Sequence, residues 1–256
     1  MIEISNLTFS YPNQSCLFEA FSLFIKKSEL WSIIGPSGCG KSTFLHLISR
    51  LIKSESGSIS IDGEITHRPR PKTGLVIQDH GLLPWSTVQK NVELGLKVRK
   101  FYGPDGKHAP PGSKLDKKTE KQIVDYWLNR LGISELKHKY PSQMSRGQRQ
   151  RTALARTMAL SPDLLLMDEP FSALDAPTSK DLQDLIVELN RERELTCITV
   201  THNIEEAVFM GRNILILKKS TNHEPEIVHN PAATDSKHPS FQVMCEKIRT
   251  RLERST

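Results

Sequence analysis

Residues 35–43 limit what this chain can become more than any other feature: Gly35, Pro36, Ser37, Gly38, Cys39, Gly40, Lys41 and Ser42 match GxxxxGK[ST] in full, and Thr43 follows. That motif works at one place in a fold, where a buried strand ends and a helix begins. Residues 30–34 supply a short apolar run before it, and Phe44, Leu45, Leu47, Ile48 and Leu51 recur at helical spacing after it. The glycines let consecutive backbone N–H groups turn inward as an anion nest, and the helix N-terminus adds partial positive charge. Lys41 is then expected to reach the β- and γ-phosphates of a nucleoside triphosphate, and the Ser42 hydroxyl to ligate Mg2+. A nucleoside triphosphate and Mg2+ are the expected ligands, on an α/β fold.

At 256 residues the chain can bury a sizeable core as one domain with an inserted subdomain. Hydrophobic residues make up 37% and charged residues 25%, the balance of a globular protein rather than a fibrous or disordered one. The longest apolar runs, such as residues 164–167 and 214–217, fall far short of the ~18 to 20 residues a membrane span requires, so no span is expected. The N-terminal Met-Ile-Glu-Ile-Ser-Asn lacks the basic and apolar regions of a secretory signal, and none is expected. Cys16, Cys39, Cys197 and Cys245 form no CxxC pair, which argues against zinc or a disulfide scaffold and fits a reducing cytosol. A formal charge of +6 suits a phosphate-rich partner, an anionic membrane or a plain solvated surface, and decides little between them.

Apolar and polar residues alternate over 2–9 and 20–26, which predicts two half-buried strands. Residues 58–65 hold Asp62-Gly63 between β-formers, a hairpin signal, and 74–78 reads as another strand. From 87 to about 159 the pattern is helical: Ile123, Trp127, Leu128 and Leu131 share one face, and 146–160 is a further helical run. Residues 97–118, rich in Lys, Gly and Pro, predict an exposed, mobile loop. Strands return at 164–167 and 196–201, flanking a helix with Leu182, Leu185, Ile186 and Leu189 on one side. Phe241, Met244, Ile248 and Leu252 mark a closing amphipathic helix, while the region after His223 otherwise reads as a tolerated, disordered extension. The predicted architecture is a P-loop NTPase core with a mixed sheet, an antiparallel β subdomain and an α-helical subdomain inserted near 87–159. It occupies residues 1–220, with a C-terminal extension over 221–256.

The strand at 164–167 delivers Asp168 to its tip, where a carboxylate can hold Mg2+ through water, and Glu169 can orient or deprotonate an attacking water. Alone, four apolar residues before Asp-Glu are usually just a strand end. Beside a P-loop, the pair points to hydrolysis rather than to phosphoryl transfer onto a small molecule.

Three further pieces follow: Met144-Ser145-Arg146-Gly147-Gln148 opening a helix, Ser172-Ala173-Leu174-Asp175 after the Asp-Glu pair, and His202 after the strand at 196–201. With Gln78 at another strand end, this order resembles the ATP-binding cassette (ABC) ATPases, whose signature is LSGGQ, over the chain to about residue 220. The resemblance implies that Tyr11 stacks on adenine; taken alone, a Tyr before Pro reads as a turn residue. It implies that Gln78 contacts Mg2+ and the attacking water, and that His202 contacts the γ-phosphate and steadies Glu169. Lys41, Gln78, Glu169 and His202 are thus the expected catalytic set, with Ser42, Gln78 and Asp168 around the metal. Ser145 and Gly147 would contact the γ-phosphate held by an opposite subunit, with Gln148 beside them in the signature, and Asp175 would lie in a loop crossing that interface. The signature departs at two places. Met144 for Leu conserves volume, whereas Arg146 for Gly sets a cation near the arriving phosphate, either strengthening that contact or pointing to solvent.

A head-to-tail pair of cassettes, identical or homologous, is therefore expected, docked on separate transmembrane permease subunits at the cytoplasmic face of the membrane. The stretch at 78–92, which contains Leu82-Leu83-Pro84-Trp85, is similar to importers of nitrate, sulfonates and taurine, as are Tyr140-Pro-Ser-Gln and Thr201-His-Asn-Ile-Glu-Glu-Ala-Val. In that group the Leu-Leu-Pro-Trp stretch lies near the permease's coupling helix, and a solute-binding protein is implied. Leu82, Leu83 and Trp85 accordingly either face a partner or cap the domain's own core. The alternative is a soluble ABC ATPase acting on DNA or ribosomes, which would carry a long coiled coil, a zinc insertion or a second cassette. Between Lys41 and Ser145 there is no heptad run and no cysteine cluster, so no nucleic acid is expected. Cys39, inside the P-loop, is either a filler of a small slot or a thiol whose modification blocks ATP.

Overall fold

A computed structural model describes residues 1–102, 115–172 and 174–254 of the chain. Strands β1 (Ile2–Ser10), β2 (Cys16–Ile25) and β3 (Leu30–Ile34) lead into helix α1 (Lys41–Ile48). The hairpin β4 (Ser56–Ile61) and β5 (Glu64–Ile65) and the strand β6 (Thr73–Val76) come next. Then follow the helices α2 (Val88–Tyr102), α3 (Lys117–Arg130) and α4 (Arg146–Met158). The chain resumes with β7 (Leu164–Asp168), α5 (Ala176–Arg193), β8 (Thr196–Val200), α6 (Ile204–Met210), β9 (Asn213–Ile216), β10 (Glu226–His229) and α7 (Phe241–Glu253).

Two sheets result. One is antiparallel in the order β2-β1-β4-β5; the other runs β10-β9-β3-β8-β7-β6 and is parallel except for β10. Because side chains alternate along a strand, the parallel strands feed two cores at once. Trp31, Ile33, Leu164, Leu166, Ile198 and Leu215 join the antiparallel sheet and the apolar face of α1. Leu30, Ile34, Leu165, Met167, Cys197 and Ile214 join helices α2 to α7 on the other side. With both faces covered, every residue of β3, β7 and β8 is buried, the polar Ser32, Thr196 and Thr199 included. The helical insertion packs α4 between α2 and β6, so it leans directly on the strand that carries Gln78 beyond its end.

Two expectations change. The loop predicted over 97–118 is shorter at both ends: α2 continues to Tyr102, and α3 begins at Lys117, capped by the Asp116 carboxylate, which accepts from the Thr119 N–H at 2.7 Å. Residues 103–114 lie outside the described residues. The stretch after His223 is folded rather than disordered. β10 pairs with β9 from Glu226 opposite Ile216 to His229 opposite Asn213, and α7 packs on α6 through Phe241, Met244, Cys245 and Ile248. The line drawn near residue 220 falls between these two paired strands. Buried Asn222 ties that junction down, its amide donating to the carbonyls of Leu17 at 3.1 Å and Lys218 at 3.2 Å. Among the described residues, no helix is long and apolar enough to cross a membrane.

Candidate active site

Parallel neighbours end on the same edge of a sheet, so the segments leaving β3, β8, β7 and β6 come together there. From β3 comes the P-loop. Gly38 and Gly40 hold φ of 79° and 97°, a left-handed backbone open to glycine at little cost. Gly35 is glycine for a different reason: a Cβ there would lie 2.4 Å from the Leu217 carbonyl oxygen and 2.7 Å from the Cys39 sulfur. Lys41 is buried, and its ammonium donates to the carbonyls of Gly35 at 2.9 Å and Pro36 at 3.0 Å. Pro36 is half-buried, and Ser37, Gly38 and Ser42 are exposed at the lip.

The floor of this loop comes from the antiparallel sheet. Phe18, Phe21 and Phe44 are fully buried with ring centroids 5.4 to 5.7 Å apart, and a Cβ on Gly40 would sit 3.4 Å from the Phe18 ring. Tyr11, half-buried, meets Phe9 edge to face at 5.0 Å, and its hydroxyl lies 3.2 Å from that of Thr43, at the start of α1. Cys39 is fully buried, and burial pushes its thiol pKa up against the opposing charge of Lys41. It fills a small slot.

β7 ends in Asp168, which is buried with one carboxylate oxygen unpartnered; burial raises its pKa, opposed by a hydrogen bond from Ser42 and the charges of His46 and Lys41. Glu169 follows in the left-handed region at φ 47°, its N–H donating to the Val200 carbonyl at 2.9 Å. Such a conformation costs a non-glycine residue about 1 to 2 kcal/mol, and here the neighbouring strand holds it. The Glu169 carboxylate is gripped from both sides: Gln78 donates to one oxygen at 3.2 Å, and His202 Nδ1 lies 3.2 Å from the other. Residues predicted from three separate stretches of sequence thus meet at one carboxylate.

The signature residues form a second group. Ser145 caps α4 and exchanges two hydrogen bonds with Gln148, the Ser145 hydroxyl accepting at 3.2 Å and the Gln148 side chain at 3.0 Å. Met144 is buried and Arg146 is exposed. At Gly147 a Cβ would lie 2.8 Å from the Thr178 methyl, so α4 abuts the first turn of α5. Asp175 caps that turn by accepting from the Thr178 N–H at 3.2 Å, and its hydrogen bonds with Thr178 hold its carboxyl pKa down. The side-chain hydrogen bonds of Ser145, Gln148 and Asp175 stay within this group and do not reach Lys41 or Glu169. Ala173 lies outside the described residues.

Leu82 packs on the core and Leu83 is half-buried, whereas Trp85 is 73% exposed, so the apolar stretch divides between the two readings. Two contributors were not legible beforehand. Phe18 supports the P-loop from another sheet, and Arg156 of α4 donates to the backbone of residues 80 and 81. Neither carries a local signal, since Phe18 precedes the strand predicted over 20–26 and Arg156 is a further arginine on a basic helix.

A family profile described as ABC transporter matches residues 18–172. The chain is 38% identical over 217 residues to the taurine import ATP-binding protein TauB of Escherichia coli (strain K12), covering 85% of this chain and 79% of that one. The same figures hold for TauB of Shigella sonnei (strain Ss046). Among solved structures, the dimeric bacterial ABC transporter cassette MJ0796 matches with a TM-score of 0.77 at 31% identity, over 90% of this chain and 98% of that one. CbiO1 of Clostridium perfringens, part of the ABC transporter complex CbiONQ, matches with a TM-score of 0.75 at 26% identity, over 99% and 96%. The P-loop, the strand-end carboxylates and these likenesses agree: the chain belongs to the ABC transporter family, as an ATP-binding cassette that hydrolyses ATP to drive transport.

Proposed function

We propose that this cassette is the energy-coupling subunit of a bacterial importer for taurine, another sulfonate, nitrate or a similar small solute. It works as one of a pair at the cytoplasmic face of the membrane, beneath permease subunits supplied by a solute-binding protein. The relatives named for taurine import support the solute class, and the dimeric cassette MJ0796 supports the pairing.

The observation that carries the catalytic reading is Glu169 held between Gln78 and His202 beside the P-loop. Two fixed partners leave the carboxylate one orientation, and a positioned base of this kind contributes about 100- to 10,000-fold. Glu169 takes the proton of the attacking water, Gln78 helps place that water, and His202 steadies Glu169 and meets the γ-phosphate. Lys41 exchanges its two P-loop carbonyls for phosphate oxygens, and Tyr11 offers its ring to adenine. The buried, unpartnered Asp168 oxygen beside the Ser42 hydroxyl fits a Mg2+ ion, which Ser42, Gln78 and Asp168 would hold together with phosphate and water. Bound there, the ion neutralises charge on the phosphates. The N-terminus of α4, where Ser145 is exposed, Gln148 half-buried and Gly147 buried against α5, suits a phosphate arriving from the partner cassette, with Asp175 at the seam. Trp85 faces the permease.

Glu169→Gln keeps the size and hydrogen-bond reach of the side chain and removes its basicity. Expected is a variant that binds ATP, accumulates as a dimer and turns over at least about 100-fold more slowly; turnover near the parent rate would overturn the assignment. For the transport reading, copurification of the permease and screening of solutes for ATPase stimulation is decisive, and failure of every sulfonate and of nitrate to stimulate would sink the solute class.

A further inference from the structure

Arg156 lies on the signature helix about three turns beyond Ser145, on the side that meets the loop after β6. Its guanidinium donates to the Gly81 carbonyl at 2.6 Å and the His80 carbonyl at 2.8 Å. Among the described residues no carboxylate pairs with it, although burial pushes its pKa down. A half-buried cation whose side-chain bonds go to two neutral carbonyls needs a reason, and the loop supplies one. His80 and Gly81 are both left-handed, at φ 63° and 57°, and the His80 N–H donates to the Ile77 carbonyl at 2.9 Å. The turn is therefore tight, and Gln78 lies inside it, with its amide 3.2 Å from Glu169. Arg156 is pinned from behind as well, because a Cβ on Gly95 of α2 would sit 2.2 Å from the Arg156 carbonyl oxygen.

We infer that Arg156 is a positioning residue for hydrolysis: it holds the backbone of His80 and Gly81 and so ties the placement of Gln78 against Glu169 to the placement of the signature helix. The inference rests on the roles proposed for Glu169 and Gln78. α4 is a single rigid rod, so a displacement felt at Ser145 when a partner cassette closes is passed along it to Arg156 and on to the turn. Both ends of the relay use fixed geometry. A planar fork can span two successive carbonyls, which a lysine ammonium on a flexible stem reproduces poorly.

The test uses the full chain with Arg156→Met and Arg156→Lys, each alone and combined with Gln78→Ala, and reads kcat, KM, ATP affinity by calorimetry and the melting temperature. Expected for Arg156→Met is a loss of about tenfold to 100-fold in kcat, the scale of a catalytic group displaced by about 1 Å, with ATP affinity changed less than about twofold. Arg156→Lys should fall between it and the parent. In the Gln78→Ala background the Arg156→Met loss should shrink to about twofold or less, because the group it positions is already gone. An equal loss with and without Gln78→Ala would overturn the inference, as would a loss appearing in ATP affinity instead of kcat. If Arg156→Met melts out, the Arg156→Lys cycle with Gln78→Ala decides the question on the same terms. Glu169→Gln, assayed alongside, reports on the catalytic reading separately: it must slow turnover at least about 100-fold whether or not Arg156 acts through Gln78.

Discussion

Phe18→Ala should cost this protein about 4 kcal/mol, and Phe24→Ala, which takes the same atoms from the same strand, should cost less than about 0.5 kcal/mol. Phe18 is fully buried, whereas Phe24 is 57% exposed. Truncating a buried Phe costs about 3 to 5 kcal/mol when the cavity cannot collapse. Two ring contacts at 5.4 Å, to Phe21 and Phe44, put Phe18 toward the upper part of that range. Against a total stability of about 5 to 15 kcal/mol, the variant stays folded but marginal. In urea, with a slope of about 3 kcal/mol/M, the midpoint should fall by roughly 1.3 M for Phe18→Ala and hardly move for Phe24→Ala. ATP at about 100 times its Kd returns only about 2.7 kcal/mol, so nucleotide should not restore the parent midpoint. The ring also lies 3.4 Å from the Cβ position of Gly40, so ATP affinity should fall with stability. Equal midpoint shifts for the two variants would refute the claim that the P-loop rests on this aromatic floor.

Gly35→Ala should lower both melting temperature and ATP affinity, since the new methyl meets the Leu217 carbonyl at 2.4 Å and overpacking costs about 1 to 3 kcal/mol; undiminished ATP binding by calorimetry would contradict this. Burial raises the folded pKa of Asp168 above its unfolded value of 3.8, so its stabilising contribution is full below 3.8 and is lost as pH rises through the folded value. Asp168→Asn should therefore melt higher than the parent in Mg2+-free buffer near neutral pH, the gap closing toward acid, while hydrolysis is lost; a lower melt near neutrality would reverse the sign. Cys39 is buried with a raised thiol pKa, so brief labelling followed by mass spectrometry should modify half-buried Cys16 first and leave Cys39 protected even without ATP. Prompt labelling of Cys39 that ATP suppresses would show an open P-loop.

How much was legible beforehand depended on whether the cause was local. The P-loop, the Asp62-Gly63 hairpin, the Ser145–Gln148 cap and the apolar run before Asp168 each occupy a few adjacent residues, and backbone chemistry within that span dictates them. β10 was missed because its four residues, Glu226 to His229, carry only two apolar side chains and no periodicity; it is a strand because β9 offers an open edge. The loop expected over 97–118 was overextended because lysines and glycines mask a helix whose stability comes from α4 packed against it, not from its own propensity.

Residue type and spacing alone determined that this chain binds nucleoside triphosphate, that a carboxylate pair stands at a strand tip, and that the strands at 30–34 and 164–167 are buried. Those follow from forces acting within a turn or along one strand. The resemblance set His202 beside Glu169, but that Gln78 grips the same carboxylate, that Phe18 underlies the P-loop, and that Arg156 grips the turn holding Gln78 was decided only in three dimensions. Each is a contact between segments far apart in the chain, set by strand order and helix packing, and no local pattern encodes which distant segment will arrive.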